Sequence, residues 1–137
     1  MARSGSERPT ELELRILKML WRQAPLRVRD IRQALADDGH EIAHTSVITM
    51  LNIMVDKQYL KRKPVKNAFT FAPRVSREDV SQRLLGDVVD RVFDGSATAV
   101  MLSLLQTSDI DADELSELRR LINRLAKQQR EEQDESV

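Results

Sequence analysis

Between residues 59 and 73 the chain stops repeating like a helix. In "YLKRKPVKNAFTFAP", Tyr59 and Leu60 on one side and Phe69 and Phe71 on the other flank the turn-like "PVKN", and Pro73 closes the segment. Aromatic residues bracketing a Pro/Asn turn read as a short hairpin. The segments on both sides of it are helical in period, so this one small hairpin decides which architectures remain open.

Three helices lead up to it. "TELE" carries a capping-box pattern, Thr10 with Glu13, in which hydroxyl and carboxylate satisfy amides at the helix start. Leu14, Leu17, Leu20 and Trp21 then recur at helical spacing. Pro25 in "QAPLR" disfavours helix at the residue before it. A second helix reads through "VRDIRQALADDG", with Val28, Ile31 and Leu35 on one face and Gly39 as its stop. A third runs from about Thr45 to Lys57.

Beyond the hairpin the chain is all helix. "SRED" repeats the capping pattern at Ser76 and Asp79, and Val80, Leu84, Leu85, Val88, Val89 and Val92 come after it. Gly95 and Ser96 punctuate as stop and new cap. "ATAVMLSLLQ" is short and nearly all apolar. In "DIDADELSELRRLINRLAKQQR", Leu115, Leu118, Ile122 and Leu125 follow 3, 4, 3 spacing, the seam of a helix that packs along another. The acidic "EEQDESV" is expected to fray.

The fold class expected is therefore mainly α: a winged helix-turn-helix with a small β-hairpin wing, followed by a three-helix dimerisation region. Residues 1–75 form the first domain, 76–130 the second and 131–137 a flexible acidic tail. Three helices in about 62 residues make a thin core. A second copy offering the same apolar faces would cover them, and two-fold dimers are the commonest closed assembly. The residues assigned to that homodimer are Leu84, Val88, Val92, Leu102, Leu105, Leu115, Leu118, Ile122 and Leu125.

Charge separates the same two halves. Residues 1–75 hold 14 Lys/Arg against 8 Asp/Glu, a net of +6; residues 76–137 hold 8 against 14, a net of −6. A basic half joined to an acidic half points to a polyanion as partner of the first. The chain has no cysteine, which excludes disulfides, thiolate-held metals and thiol nucleophiles. "MARSGSERPT" has no apolar h-region and no apolar run reaches spanning length, so the expected address is the cytoplasm, without direct membrane binding.

"HEIAH" competes with this reading. His40, Glu41 and His44 spell H-E-x-x-H, a zinc-hydrolase signature, and are joined by no third histidine. The motif works only on a continuous helix, which brings both histidines to one face. Here Gly39 precedes it, and Thr45 and Ser46, both N-cap types, follow it. The expectation is a loop, no catalytic residue, no metal and no cofactor.

The third helix carries the more specific signal. At 100° per residue, Val47, Met50, Leu51, Met54 and Val55 gather on one side. Thr45, Thr49 and Asn52 lie opposite, with Ser46 and Ile53 beside them; Thr45, Ser46, Thr49 and Asn52 are the expected base readers. Small polar side chains can approach base edges, Asn pairing bidentately with adenine and Thr or Ser bonding either way. Solvated helix faces ordinarily carry Lys, Glu and Arg instead. Lys57, Lys61, Arg62, Lys63 and Lys66 come next with no acid among them, and Arg27 and Arg29 sit at the start of the second helix; these are the expected phosphate contacts. The reading is a non-enzymatic, sequence-specific binder of double-stranded DNA, and repression is what the resemblance given next implies. A winged helix used as a protein-interaction module and a zinc hydrolase are the alternatives.

"ELRILKMLWRQAPLRVRDIRQAL", "HTSVITMLNIMVDKQYLKRK", "FTFAPRVSRED" and "LLGDVVDRVFDGSATAVMLSLLQTSDIDADELSELRRLI" resemble, in order, the BlaI/MecI/CopY family of bacterial repressors. The resemblance implies a homodimer on a palindromic operator, controlling β-lactam resistance or related genes. It also implies a membrane-bound sensor protease as partner, with inactivation by cleavage in the dimerisation region. The chain departs from the family pattern at several points. It lacks the cysteine cluster of the copper-responsive branch. Ser103-Leu104 stands where the staphylococcal repressors have a cleaved Asn-Phe bond. Ile53 stands where arginine is common, Gln58 where glycine is common nearby, and His44 where an aromatic is frequent.

Overall fold

A computed structural model describes residues 8–135, so the polar residues 1–7 and the last two residues of the acidic tail lie outside the described residues. The order is α1 (Glu11–Arg22), β1 (Leu26–Arg27), α2 (Val28–Asp37), α3 (His44–Asp56), β2 (Leu60–Val65), β3 (Ala68–Pro73), α4 (Arg77–Val92), α5 (Ala97–Thr107) and α6 (Ala112–Glu135). Its contacts divide the chain into two compact units, residues 1–88 and 89–137. The division falls inside α4, whereas the sequence reading sets its boundary at 75/76. The cause is visible at the start of α4. Val80 is buried, and the Trp21 indole N–H donates to the Val75 carbonyl at 2.9 Å, so this stretch is fastened to the first unit.

Local signals decide the helix ends. The Thr10 hydroxyl accepts from the Glu13 amide at 3.2 Å, and the Glu13 carboxylate accepts from the Thr10 amide at 2.8 Å, a complete capping box. Helix α2 stops in a Schellman turn: Gly39 sits at φ +89° and donates to Ala36, and His40 donates to Leu35. Helix α3 stops the same way, with Gln58 donating to Val55 and Tyr59 to Met54. Here the left-handed position, φ +71°, is held by Gln58 rather than glycine. The expected caps Ser76 and Ser96 accept from the amides of Asp79 and Ala99.

The first unit packs α1, α2, α3 and the sheet around Ile16, Leu17, Leu20, Ile31, Leu35, Val47, Leu51, Met54, Tyr59, Leu60 and Phe71. The hairpin turns at Lys66 and Asn67, the second half of the expected PVKN turn, because Pro64 and Val65 still pair in β2; the register runs from Leu60 with Pro73 to Val65 with Ala68. It is not alone. Leu26 and Arg27 add a third antiparallel strand, giving the order β1-β3-β2. Two residues after a proline carry no readable period, so the sequence hid this strand.

The second unit is different in kind. No residue of α5 or α6 is buried among those described. Leu102, Leu105, Leu118, Ile122 and Leu125 are between 37% and 54% exposed. The segment expected to fray from residue 131 is helical through Glu135, continuous with α6. No helix among the described residues is long and apolar enough to cross a membrane.

Candidate nucleic-acid interface

Helix α3 turns its two faces as its sequence dictates. Val47, Leu51 and Met54 are fully buried, with Met50 and Val55 packed beside them. Thr45, Ser46, Thr49 and Ile53 are exposed and Asn52 is half-buried. The Thr49 hydroxyl donates to the Thr45 carbonyl at 3.0 Å, one turn back. Its proton is thus spent within the helix, leaving oxygen lone pairs and a methyl group to face a ligand.

The "HEIAH" stretch is not on a helix. His40 follows the Schellman turn of α2, residues 40–43 are loop, and His44 opens α3. The i, i+4 register on one helix that zinc requires is missing. The helix cap is neither Thr45 nor Ser46 but Ala43, which offers no side-chain acceptor. Instead Arg32 braces the loop, its Nε donating to the Ile42 carbonyl at 3.1 Å.

Strand alternation sorts the basic residues. Leu60 is buried, so the inner face of β2 takes Leu60 and Arg62, while Lys61 and Lys63 point the other way. Lys61, Lys63 and Lys66 are exposed, Lys66 at the hairpin tip with φ +57°. Arg29 is exposed in the first turn of α2, and Arg27 is half-buried just before it. Arg62 bends back to α3, where its Nη1 donates to Asn52 Oδ1 at 2.8 Å and its guanidinium lies 5.1 Å from the centre of the Phe69 ring.

Lys57 is engaged in the interior. Its Nζ lies 3.1 Å from both carboxylate oxygens of Glu13, its side chain is only 12% exposed, and it sits 5.9 Å from the Tyr59 ring centre. The expected phosphate contact is an interior ion pair joining the start of α1 to the end of α3. The reason is Glu13, which is 3% exposed and whose charge needs a partner once buried.

The result is a polar α3 face flanked by Arg29 on one side and Lys61, Lys63 and Lys66 on the hairpin. Between α2, α3 and the sheet runs a groove of about 520 Å³, lined by Arg27, Arg29, Asn52, Arg62 and Phe69 among others. The residues of the second unit assigned to dimerisation are Val92, Leu102, Leu105, Leu115, Leu118, Ile122 and Leu125, all exposed. Met101, Leu104 and Leu121 are exposed with them, and the sequence reading left them out of that set. In the first unit, Val88 is exposed and Leu84 half-buried. Ser103-Leu104 lies inside α5, and the Ser103 carbonyl accepts from the Thr107 hydroxyl at 2.7 Å.

Comparison with known proteins gives the family. The penicillinase repressor family model matches residues 9–124. The chain is 28% identical over 117 residues to the transcriptional regulator BlaI of Mycobacterium tuberculosis, covering 84% of this chain and 83% of that one. It is 19% identical over 113 residues to the penicillinase repressor of Bacillus licheniformis, covering 82% and 88%. It is 22% identical over 79 residues to the methicillin resistance regulatory protein MecI of Staphylococcus aureus, covering 58% and 64%. A match running from α1 into α6 makes this chain a member of the penicillinase repressor family, whose matched relatives are regulators of gene expression.

Proposed function

We propose that the chain is a homodimeric transcriptional repressor that binds a palindromic operator and has no catalytic role. The observation that carries this is the composition of the exposed α3 face. Thr45, Ser46, Thr49 and Asn52 are compact hydrogen-bonding groups, and exposed cations flank them on two other elements. A recognition helix enters the major groove with its N-terminal residues towards the bases. Arg27, Arg29, Lys61, Lys63 and Lys66 then fix the phosphates on either side. Arg62 and Lys57 leave that set, the first bonded to Asn52 and the second to Glu13.

The second unit supplies the two-fold. An α6 seam of leucine and isoleucine at 3, 4, 3 spacing, each side chain 37–53% exposed in one chain, is supported as a dimer surface by its periodicity. The functional division proposed is a DNA-binding region ending near the start of α4 and a dimerisation region beyond it. Work on cytoplasmic DNA, control of β-lactam resistance or related genes, and inactivation at Ser103-Leu104 by a membrane sensor protease belong to the same proposal.

The test is a titration against duplex DNA from upstream of the chain's own gene, with random duplex as control and salt varied. Tight binding that is selective and weakens steeply with salt is expected. Equal binding to both duplexes would remove the base-reading role. No binding to either would favour a protein-interaction module.

A further inference from the structure

We propose that Arg62 is a positioning residue for base recognition, which holds the Asn52 amide in one orientation, rather than a phosphate contact. The inference rests on the DNA-reading function proposed above. Three observations carry it. Arg62 is the one cation of the hairpin on the inner face of β2, two residues from buried Leu60, while Lys61 and Lys63 face outward. Its Nη1 is 2.8 Å from Asn52 Oδ1. Its guanidinium also lies against the Phe69 ring, 5.1 Å from the centre, and no carboxylate lines the groove they share.

The chemistry comes from the donor inventory. Guanidinium has donors only, so the Asn52 atom facing it must be the oxygen. A free amide can flip its oxygen and nitrogen; this one cannot without losing the bond. Bidentate pairing with adenine needs the oxygen to accept from N6 and the nitrogen to donate to N7, in one orientation. The oxygen has a second lone pair for the base, and both amide hydrogens remain. Arg62 thus orders the amide before DNA arrives. Phe69 in turn orders Arg62, because a planar cation stacks on an aromatic face where a lysine ammonium has no plane to match. The hairpin and the reading helix are coupled through this single side chain, so changes in the wing are felt at a base.

The experiment selects binding sites from a library of random-sequence duplexes, using the full-length chain and its Asn52→Ala, Arg62→Met, Arg62→Lys and Phe69→Leu variants. Arg62 is exposed, so its variants are expected to fold; circular dichroism checks this. Arg62→Met is expected to lose preference at the same base position as Asn52→Ala, by roughly tenfold, with the rest of the motif kept. The double variant Asn52→Ala/Arg62→Met should be no worse at that position than Asn52→Ala. Arg62→Lys should behave like Arg62→Met in the motif, and Phe69→Leu should weaken the preference partway. The salt slope should stay as in the unaltered chain. An unchanged motif with uniformly weaker binding and a slope reduced by about one would make Arg62 a phosphate contact and overturn the proposal. Full rescue by Arg62→Lys would overturn it as well, since charge alone would suffice. If the unaltered chain selects no motif, the DNA-reading function itself fails and takes this inference with it.

Discussion

Replacing Glu13 by Gln should cost about 3 kcal/mol of stability, an amount set by what the glutamate does. Its carboxylate receives the Lys57 ammonium at 3.1 Å on each oxygen and the Thr10 amide at 2.8 Å, with 4% of its side chain exposed. Glutamine keeps the shape and can still cap α1. It removes the charge, leaving an ammonium that is 12% exposed without a counter-ion. Losing one partner of a buried pair costs about 3–5 kcal/mol, and Lys57 has some room to reach water, so the lower end applies. Lys57→Met leaves the carboxylate buried with one amide donor and should cost a similar amount. In the double variant no unpaired charge remains, so the two losses should fall short of adding by roughly 1–3 kcal/mol. Urea unfolding at one fixed protein concentration measures all four chains. Additive losses below about 0.5 kcal/mol each, the range of unremarkable surface changes, would refute the buried-pair account. So would a Lys57→Met chain of full stability whose DNA binding has lost salt dependence.

Other expectations test other parts. Gln58→Gly should stabilise by up to about 1 kcal/mol, because glycine removes the strain of φ +71° at the end of α3, though it adds entropy to the unfolded chain; the urea midpoint reads it. Thr49→Ala should lose about 1–3 kcal/mol of discrimination at one base, whereas Lys63→Ala should weaken all duplexes alike and lower the salt slope by about one. Leu118→Glu should leave the circular dichroism of the first unit intact and shift sedimentation towards the monomer, since it places a charge in the α6 seam. Proteolysis at Ser103-Leu104 should require α5 to open, so Met101→Pro, which breaks that helix and leaves both residues of the bond in place, should speed cleavage by added protease several-fold.

Much of the first unit was legible because its signals are local. The Thr10/Glu13 box, the Gly39 stop, the turn at Lys66 and Asn67 and the two faces of α3 each depend on residues within a few positions. What stayed hidden depends on distance or on sharing. Lys57 lies 44 residues from Glu13, and nothing near it marks it as an interior group. A run of basic residues looks uniform in sequence, yet strand alternation sends Arg62 towards α3 and Lys61 and Lys63 away. Strand β1 is two residues long and exists only because β3 is there to pair with it. The acidic end of α6 reads as a frayed tail by composition, but a helix already nucleated at Asp111 continues through it at little cost. Thr49 and Asn52 were found as a face. Their internal bonds to Thr45 and Arg62, which decide what each can offer a base, were not legible.

The central claim is that the outer face of α3 meets bases while the hairpin lysines meet phosphates. Mapping backbone and side-chain amide shifts by NMR, as a duplex selected by the chain is added, tests it most directly. The account predicts the largest changes at Thr45, Ser46, Thr49 and the Asn52 amide, smaller ones from Lys61 to Lys66, and little along α6. Changes concentrated on α6, or on the α1 surface with α3 unmoved, would contradict it.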